Sequence, residues 1–90
     1  MNKEKTSPEF FAEELLSDVY ELILFNDEVN DFDFVIDSLI EVCKLDPIQA
    51  EQITLIVHEK GKCGVVSGTL DELRPMYESL SNKGLSVSID

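Results

Sequence analysis

Two short polar segments carry the residues of this sequence that could do chemistry. One consists of Asn26, Asp27 and Glu28, which directly follow an apolar run, and the other contains His58, the only histidine of the chain. A carboxamide, two carboxylates and an imidazole accept hydrogen bonds and hold negative charge, so together they suit a small cation such as an ammonium group. Taken separately, the trio is typical of a turn, and a lone histidine is more often an ordinary, partly buried helix residue.

The composition indicates one small and strongly acidic domain. The 90 residues include 7 basic and 19 acidic side chains, which give a formal net charge of -12. Because nucleic acids and anionic membranes bind to basic surfaces, we expect neither as a partner, and we expect attraction of cationic ligands and basic proteins instead. No apolar run approaches the roughly 20 residues of a membrane span, and the N-terminus lacks the long apolar core of a signal peptide, so a cytoplasmic location is expected.

The sequence offers weak support for catalysis or metal binding. Cys43 and Cys63 both fall at core-like positions, so reduced, buried thiols are the better interpretation. A cysteine–histidine hydrolase would need one of these thiols exposed beside an activating base such as His58. One histidine and two separated cysteines do not form a ligand cluster, and no glycine-rich phosphate loop is present. We expect no enzyme, no metal and no cofactor, with the hydrolase as a minor alternative.

Hydrophobic patterning predicts the element order β-α-α-β-α-β. Residues 19–25 and 62–67 have the length and composition of short strands, and residues 85–89 alternate as a strand with one buried face does. Three short strands need a covering layer, so the predicted fold is a two-layer α+β domain over residues 19–90, with a small three-stranded antiparallel sheet covered on one face by helices. Residues 1–18 are predicted to form an N-terminal tail that is disordered or carries a short helix.

The three predicted helices are bounded by capping residues. The first begins after Asn30 or Asp31, and the second begins after Asp46, which is followed by proline at the first helical position. The second helix is expected to end at Gly61. Its predicted core stripe consists of Ala50, Ile53, Ile56 and Val57.

The third helix follows a capping box at residues 69–72 and is predicted to end at Gly84. Pro75 lies inside its pattern, and an interior proline removes a backbone hydrogen bond and crowds the preceding turn. We therefore expect the regular part of this helix only after Arg74.

The chain resembles the ClpS family of protease adaptors. The resemblance is carried by residues 24–37 (LFNDEVNDFDFVID), 49–52 (QAEQ), 56–58 (IVH) and 61–65 (GKCGV), in the family's order and at its intervals. It implies an adaptor that is not itself a protease. Such an adaptor binds the free N-terminus of proteins whose first residue is bulky (leucine, phenylalanine, tyrosine or tryptophan) and delivers them to an AAA+ Clp unfoldase of the ClpA or ClpC kind.

The resemblance also implies roles for individual residues, on a protein expected to be a monomer. The α-ammonium group would be bound by Asn26, Asp27, Glu28 and His58. The first side chain would enter a hydrophobic pocket lined by Asn30, Phe32, Val35, Thr54, Val57 and Leu85. The unfoldase would contact Lys62, Glu72 and Arg74.

Three pocket positions depart from the usual family pattern. Glu28 stands where aspartate is common, and Phe32 and Thr54 stand where methionine is common, so the width of the pocket should differ from that of most members. A different class of protein fits the same element order. A protein-interaction module resembling the C-terminal domain of the ribosomal stalk protein would bind partners through a helix face and would have no amine pocket.

Overall fold

The computed structural model of the protein describes residues 19–90, and in this range three strands and three helices are present. In chain order they are β1 (Tyr20–Phe25), α1 (Phe32–Cys43), α2 (Pro47–Lys60), β2 (Lys62–Gly68), α3 (Leu70–Asn82) and β3 (Ser86–Ile89). The strands form one antiparallel sheet in the order β2-β1-β3. The predicted α+β class and element order are confirmed, whereas the predicted tail, residues 1–18, lies outside the described residues.

The central strand β1 fixes where the loops meet. It pairs with β2 from Tyr20 opposite Gly68 to Phe25 opposite Lys62, and with β3 up to Phe25 opposite Ser86. Since both neighbours run antiparallel to β1, the loop that follows Phe25 lies beside the starts of β2 and β3. The chain segments before β2 and β3 therefore converge on the loop after β1.

Side chains from all layers form the hydrophobic core. The buried positions in this cluster are Leu22, Leu24, Leu39, Cys43, Ala50, Ile53, Val57, Val65, Leu73, Leu80 and Leu85. A register shift between Leu22 and Ile23 in the pairing with β2 marks a bulge, and Val65, which has no partner in the ladder, is buried in this core. Bulges bend a strand and reorient its side chains in this way.

Two of the predicted helix starts are present as expected. The carboxylate of Asp46 accepts hydrogen bonds from the amides of Ile48 and Gln49 at 2.9 and 3.2 Å. Thr69 and Glu72 form a capping box, in which each side chain accepts from the backbone amide of the other residue. These contacts satisfy amide groups that have no carbonyl partner in the first turn of a helix.

The predicted core stripe of α2 is wrong at one position. Ile56 is 42% exposed, whereas Thr54 is only 4% exposed. The stripe that faces the core runs through residues four and three apart, namely Ala50, Ile53, Thr54 and Val57, and Ile56 lies about 100° around the helix from Val57. The Thr54 hydroxyl tolerates burial because it donates to the Ala50 carbonyl at 2.8 Å.

The expected irregular start of α3 is also wrong. The helix is continuous from Leu70 to Asn82 with Pro75 inside it. The capping box holds the first turn, and Leu73 before Pro75 and Leu80 after it are completely buried, so the helix is anchored on both sides of the proline that cannot donate a hydrogen bond.

The end of α3 is a turn that depends on Gly84. This residue has a φ of 92°, its amide donates to the Ser81 carbonyl at 2.9 Å, and the Leu85 amide donates to the Leu80 carbonyl at 3.0 Å. This pair of bonds defines a Schellman motif, in which the left-handed residue follows the C-cap. The motif turns the chain so that Leu85 enters the core.

The left-handed conformation of Gly84 gives a test of this turn. We expect Gly84→Ala to lower the free energy of unfolding by about 1–2 kcal/mol, because a Cβ atom disfavours this backbone conformation. A steric clash does not contribute, since no atom beyond the neighbouring residues lies within 4 Å of a Cβ built there. Chemical denaturation followed by circular dichroism measures the effect. Gly84→Asn is the matched control, because asparagine adopts this conformation more easily. Equal losses in both variants would contradict the assignment.

Candidate functional site

A pocket of about 310 Å³ lies where the loop after β1 meets the end of α2 and the turn before β3. The residues that line it are Leu24, Phe25, Asn26, Asp27, Glu28, Asn30, Asp31, Phe32, Val35, Val57, His58 and Leu85. The set combines acidic, amide and imidazole groups with apolar side chains. A volume near the lower end of the range for ligand pockets suits one side chain and its adjoining backbone.

The structure brings together all of the predicted pocket residues except Thr54. Thr54 lies instead on the face of α2 that is buried against the hydrophobic core, and its hydroxyl is already bonded to the Ala50 carbonyl. Three lining residues were missed by the sequence: Leu24, Phe25 and Asp31. Phe25 and Asp31 adjoin predicted residues, and Leu24 lies two positions before Asn26, so extending the polar trio back into β1 and on to the start of α1 would have found them.

The polar rim of the pocket begins where β1 ends. The backbone amide of Asn26 donates to the Gly61 carbonyl at 2.9 Å, which ties the end of β1 to the turn after α2. His58 lies in the last turn of α2, three residues before Gly61. This backbone bond therefore explains why the two polar segments, which are far apart in the sequence, line one pocket. Asn26, Glu28 and His58 are all exposed, so their polar groups are accessible to a ligand.

Asp27 organises the loop between β1 and α1. Its Oδ1 atom accepts from the backbone amides of Val29 and Asn30 at 3.0 and 2.9 Å. The Asn30 side-chain amide donates to both carboxylate oxygens at 3.1 and 3.0 Å, and the Ser86 hydroxyl is 3.4 Å from Oδ2. Partial burial raises the pKa of Asp27, but the hydrogen bonds from these three residues outweigh it, and the pKa is lowered from its usual value. Asp27 is thus a fixed negative charge whose acceptor sites are largely occupied.

An aromatic contact joins the polar rim to the apolar wall. The Phe32 ring and the His58 imidazole meet edge to face, with centroids 6.5 Å apart and planes at 90°. This arrangement is the favourable one for two aromatic rings. Phe32 thus places an aromatic ring beside the imidazole, while Val35, Val57 and Leu85 supply the rest of the apolar lining.

The three residues predicted to contact the unfoldase do not form one cluster. Lys62 begins β2 opposite Phe25, at the pocket end of the sheet. Glu72 belongs to the capping box beyond the other end of β2, where its carboxylate accepts from the Thr69 amide at 3.0 Å, and Arg74 is exposed two residues further on. A strand of this length spans about 20 Å, so Lys62 is well separated from the other two.

The cysteines are poorly suited to nucleophilic catalysis. Burial raises the pKa of the Cys43 thiol to about 11, and burial together with the nearby charge of Glu21 raises the pKa of Cys63. A raised pKa keeps a thiol protonated and unreactive at neutral pH. Neither cysteine is part of the pocket lining that contains His58, so this geometry gives no support to the cysteine–histidine alternative.

Residues 19–90 contain neither a metal-binding cluster nor a membrane-spanning helix. No group of three or more histidine, cysteine, aspartate or glutamate side chains in this range is arranged to hold a metal ion. No helix in the described part of the chain is long and apolar enough to cross a membrane.

Comparison with known proteins identifies the family. The family model described as ATP-dependent Clp protease adaptor protein ClpS matches residues 16–88. The chain therefore belongs to the ClpS family, as its motifs predict. The family is described as one of adaptors, which agrees with the prediction that this chain is not an enzyme.

Curated relatives carry the same family name. The chain is 39% identical over 59 residues to the ClpS adapter protein of Hydrogenovibrio crunogenus, a match that covers 63% of this chain and 57% of that protein. It is 30% identical over 82 residues to the ClpS adapter protein of Sodalis glossinidius, covering 82% of this chain and 77% of the relative. The chain thus spans little more than half the length of the first of these relatives.

A solved structure shares the fold. Agrobacterium tumefaciens ClpS2, solved bound to L-phenylalaninamide, superimposes with a TM-score of 0.73 at 19% sequence identity. The match covers 81% of this chain and 95% of ClpS2. At this identity the likeness shows the α+β fold.

The hydrogen bonds to Asp27 predict a dependence of stability on pH. A carboxylate whose pKa is lowered by folding stabilises the folded state fully above its unfolded pKa, and the stabilisation is lost as the pH falls through the folded pKa. We expect the difference in unfolding free energy between the parent and Asp27→Asn to be constant from pH 7 to about pH 4 and to shrink below it. Denaturation of both proteins across this range measures it. A difference that already shrinks above about pH 5 would contradict the lowered pKa.

Proposed function

We propose that this protein binds the free N-terminus of substrate proteins whose first residue is leucine, phenylalanine, tyrosine or tryptophan, and delivers them to an AAA+ Clp unfoldase. The observation that carries the proposal is the composition of one pocket, in which an acidic and amide-bearing rim adjoins an apolar wall. Phenylalaninamide, the ligand in the ClpS2 structure, has two groups that match these two parts of the pocket: a free α-amine for the rim and a large apolar side chain for the wall.

The polar rim suits an ammonium group. The amide oxygen of Asn26 and a ring nitrogen of His58 can accept hydrogen bonds from it, while Glu28 and the fixed charge of Asp27 provide electrostatic attraction. Each hydrogen bond to a charged group contributes roughly 1.5–3 kcal/mol. The net charge of -12 favours the approach of a cation over longer distances.

The apolar wall suits the first side chain. Transfer of a leucine or phenylalanine side chain from water contributes about 1.5–3 kcal/mol. A few contributions of this size, less the entropy lost when a flexible peptide end is ordered, reach the ~8 kcal/mol of micromolar binding. This affinity permits both selection and release, as an adaptor requires.

For delivery, the unfoldase must bind to a part of the surface that lies outside the pocket. We propose residues 19–90 as the adaptor domain, with residues 1–18 as its tail, acting as a cytoplasmic monomer. Glu72 and Arg74, beyond the far end of β2, are separated from the pocket by about the length of that strand. A contact at Glu72 and Arg74 leaves the pocket open, so that substrate and unfoldase can be bound together. Lys62, the third proposed contact, lies apart from these two at the pocket end of β2.

The role of His58 gives a test of this proposal. We expect His58→Ala to weaken binding of a fluorescent phenylalanine-initiated peptide about tenfold or more, because one charge-assisted hydrogen bond is lost. Fluorescence anisotropy measures the affinity, and a serine-initiated peptide of otherwise identical sequence tests the apolar wall.

His58→Gln is the matched control for this experiment. Glutamine keeps a hydrogen-bond acceptor, so it should retain more affinity than alanine. Since His58 is exposed, both variants should keep the parent's circular dichroism spectrum. Equal binding of the two peptides by the parent, or unchanged affinity in His58→Ala, would contradict the proposed function.

A further inference from the structure

The side-chain amide of Asn30 connects two segments that are far apart in the sequence. Its Nδ2 atom is 3.1 and 3.0 Å from the carboxylate oxygens of Asp27, and 2.9 Å from the carbonyl oxygen of Gly84, which is 54 positions away. A primary amide has two N–H groups. Both are therefore used, one on the carboxylate and one on the carbonyl, and this fixes the orientation of the side chain.

The two acceptors belong to two different segments at the pocket, the loop after β1 and the turn before β3. Asp27 is part of the polar rim, where its carboxylate also fixes the backbone of the loop. Gly84 is the left-handed residue of the turn after α3, and the next residue, Leu85, is part of the apolar wall. The Ser86 hydroxyl makes a second, longer contact of 3.4 Å between the same two segments. Hydrogen bonds from Asn30 thus run from the rim to the wall.

The side-chain amide of Asn30 also stabilises the negative charge of Asp27 in an acidic loop. Glu28 and Asp31 are exposed acidic residues within four positions of Asp27, so like charges are concentrated at the rim. A neutral side chain that only donates to Asp27 stabilises the carboxylate without cancelling its charge. The negative charge that would attract a cation is therefore retained and held in one place.

We propose that Asn30 is a positioning residue of the pocket, whose amide holds the rim at Asp27 and the wall at Leu85 in a fixed relation so that an ammonium group and the adjoining side chain are bound together. The proposal rests on the proposed function for its ligand. The hydrogen bonds from Asn30 to Asp27 and Gly84, which together form the tie between rim and wall, are a property of the free protein. A residue that only lined the pocket would act through its size, whereas a positioning residue acts through its two N–H groups.

Two measurements on the free protein separate these roles. In Asn30→Ala, we expect the pKa of Asp27, followed by carboxyl-carbon NMR, to rise from the parent's lowered value. We also expect the backbone amide of Leu85 to exchange with solvent several-fold faster, because the turn loses its anchor to the loop. Ser86→Ala is the matched control, since it removes the longer contact with Asp27 but leaves the bond between Asn30 and Gly84, and it should change the exchange of Leu85 less.

Binding of a phenylalanine-initiated peptide completes the experiment. We expect Asn30→Ala to weaken it roughly tenfold, and Asn30→Thr, which keeps one donor, to weaken it less. Weaker binding with an unchanged pKa of Asp27 and unchanged exchange of Leu85 would overturn the proposal, because Asn30 would then act on the ligand directly. If the parent binds no such peptide, the proposed function fails, and the two measurements on the free protein still decide whether the tie exists.

Discussion

The structure of the site depends on the way the chain leaves the central strand. β1 ends at Phe25 between two antiparallel neighbours, and the Asn26 amide then bonds to the Gly61 carbonyl. The loop that follows must reach the start of α1 while it satisfies its own backbone amides, and the Asp27 carboxylate accepts two of them. One ionised side chain thus serves both the local fold and the charge of the pocket, which links the stability of the loop to its proposed chemistry.

The proposed selectivity follows from the proximity of two unlike surfaces. A cationic amine alone would bind weakly at an exposed acidic rim, because water screens the attraction. An apolar side chain alone would gain only its transfer free energy. The Phe32–His58 contact and the Asn30 bonds bring these surfaces to one pocket, where a ligand that carries both groups can use both at once.

Much of the fold could be predicted from the sequence because its signals are local. The Asp46 cap and the capping box at Thr69 predict the starts of two helices, and the alternation in residues 85–89 predicts the last strand. Ile56 was misjudged because its apolar character was ranked above its position on the helix, whereas Thr54 lies on the buried face and bonds to the Ala50 carbonyl. Pro75 was misjudged because the burial of Leu73 and Leu80, which anchor α3 before and after the proline, depends on tertiary packing.

The site was predictable in its residues and less so in its contacts. The polar trio and His58 stand out as sequence segments, but Asn30 bonds to Gly84 through a contact that no spacing rule gives.

The most direct test of ammonium recognition by this pocket is calorimetric titration with phenylalaninamide and with its N-acetylated form. We expect saturable binding of the free amine and binding at least tenfold weaker, or undetectable, for the acetylated form, because acetylation removes the positive charge and leaves the polar rim without its partner. Equal affinity for both compounds would contradict the claim that this pocket recognises an ammonium group.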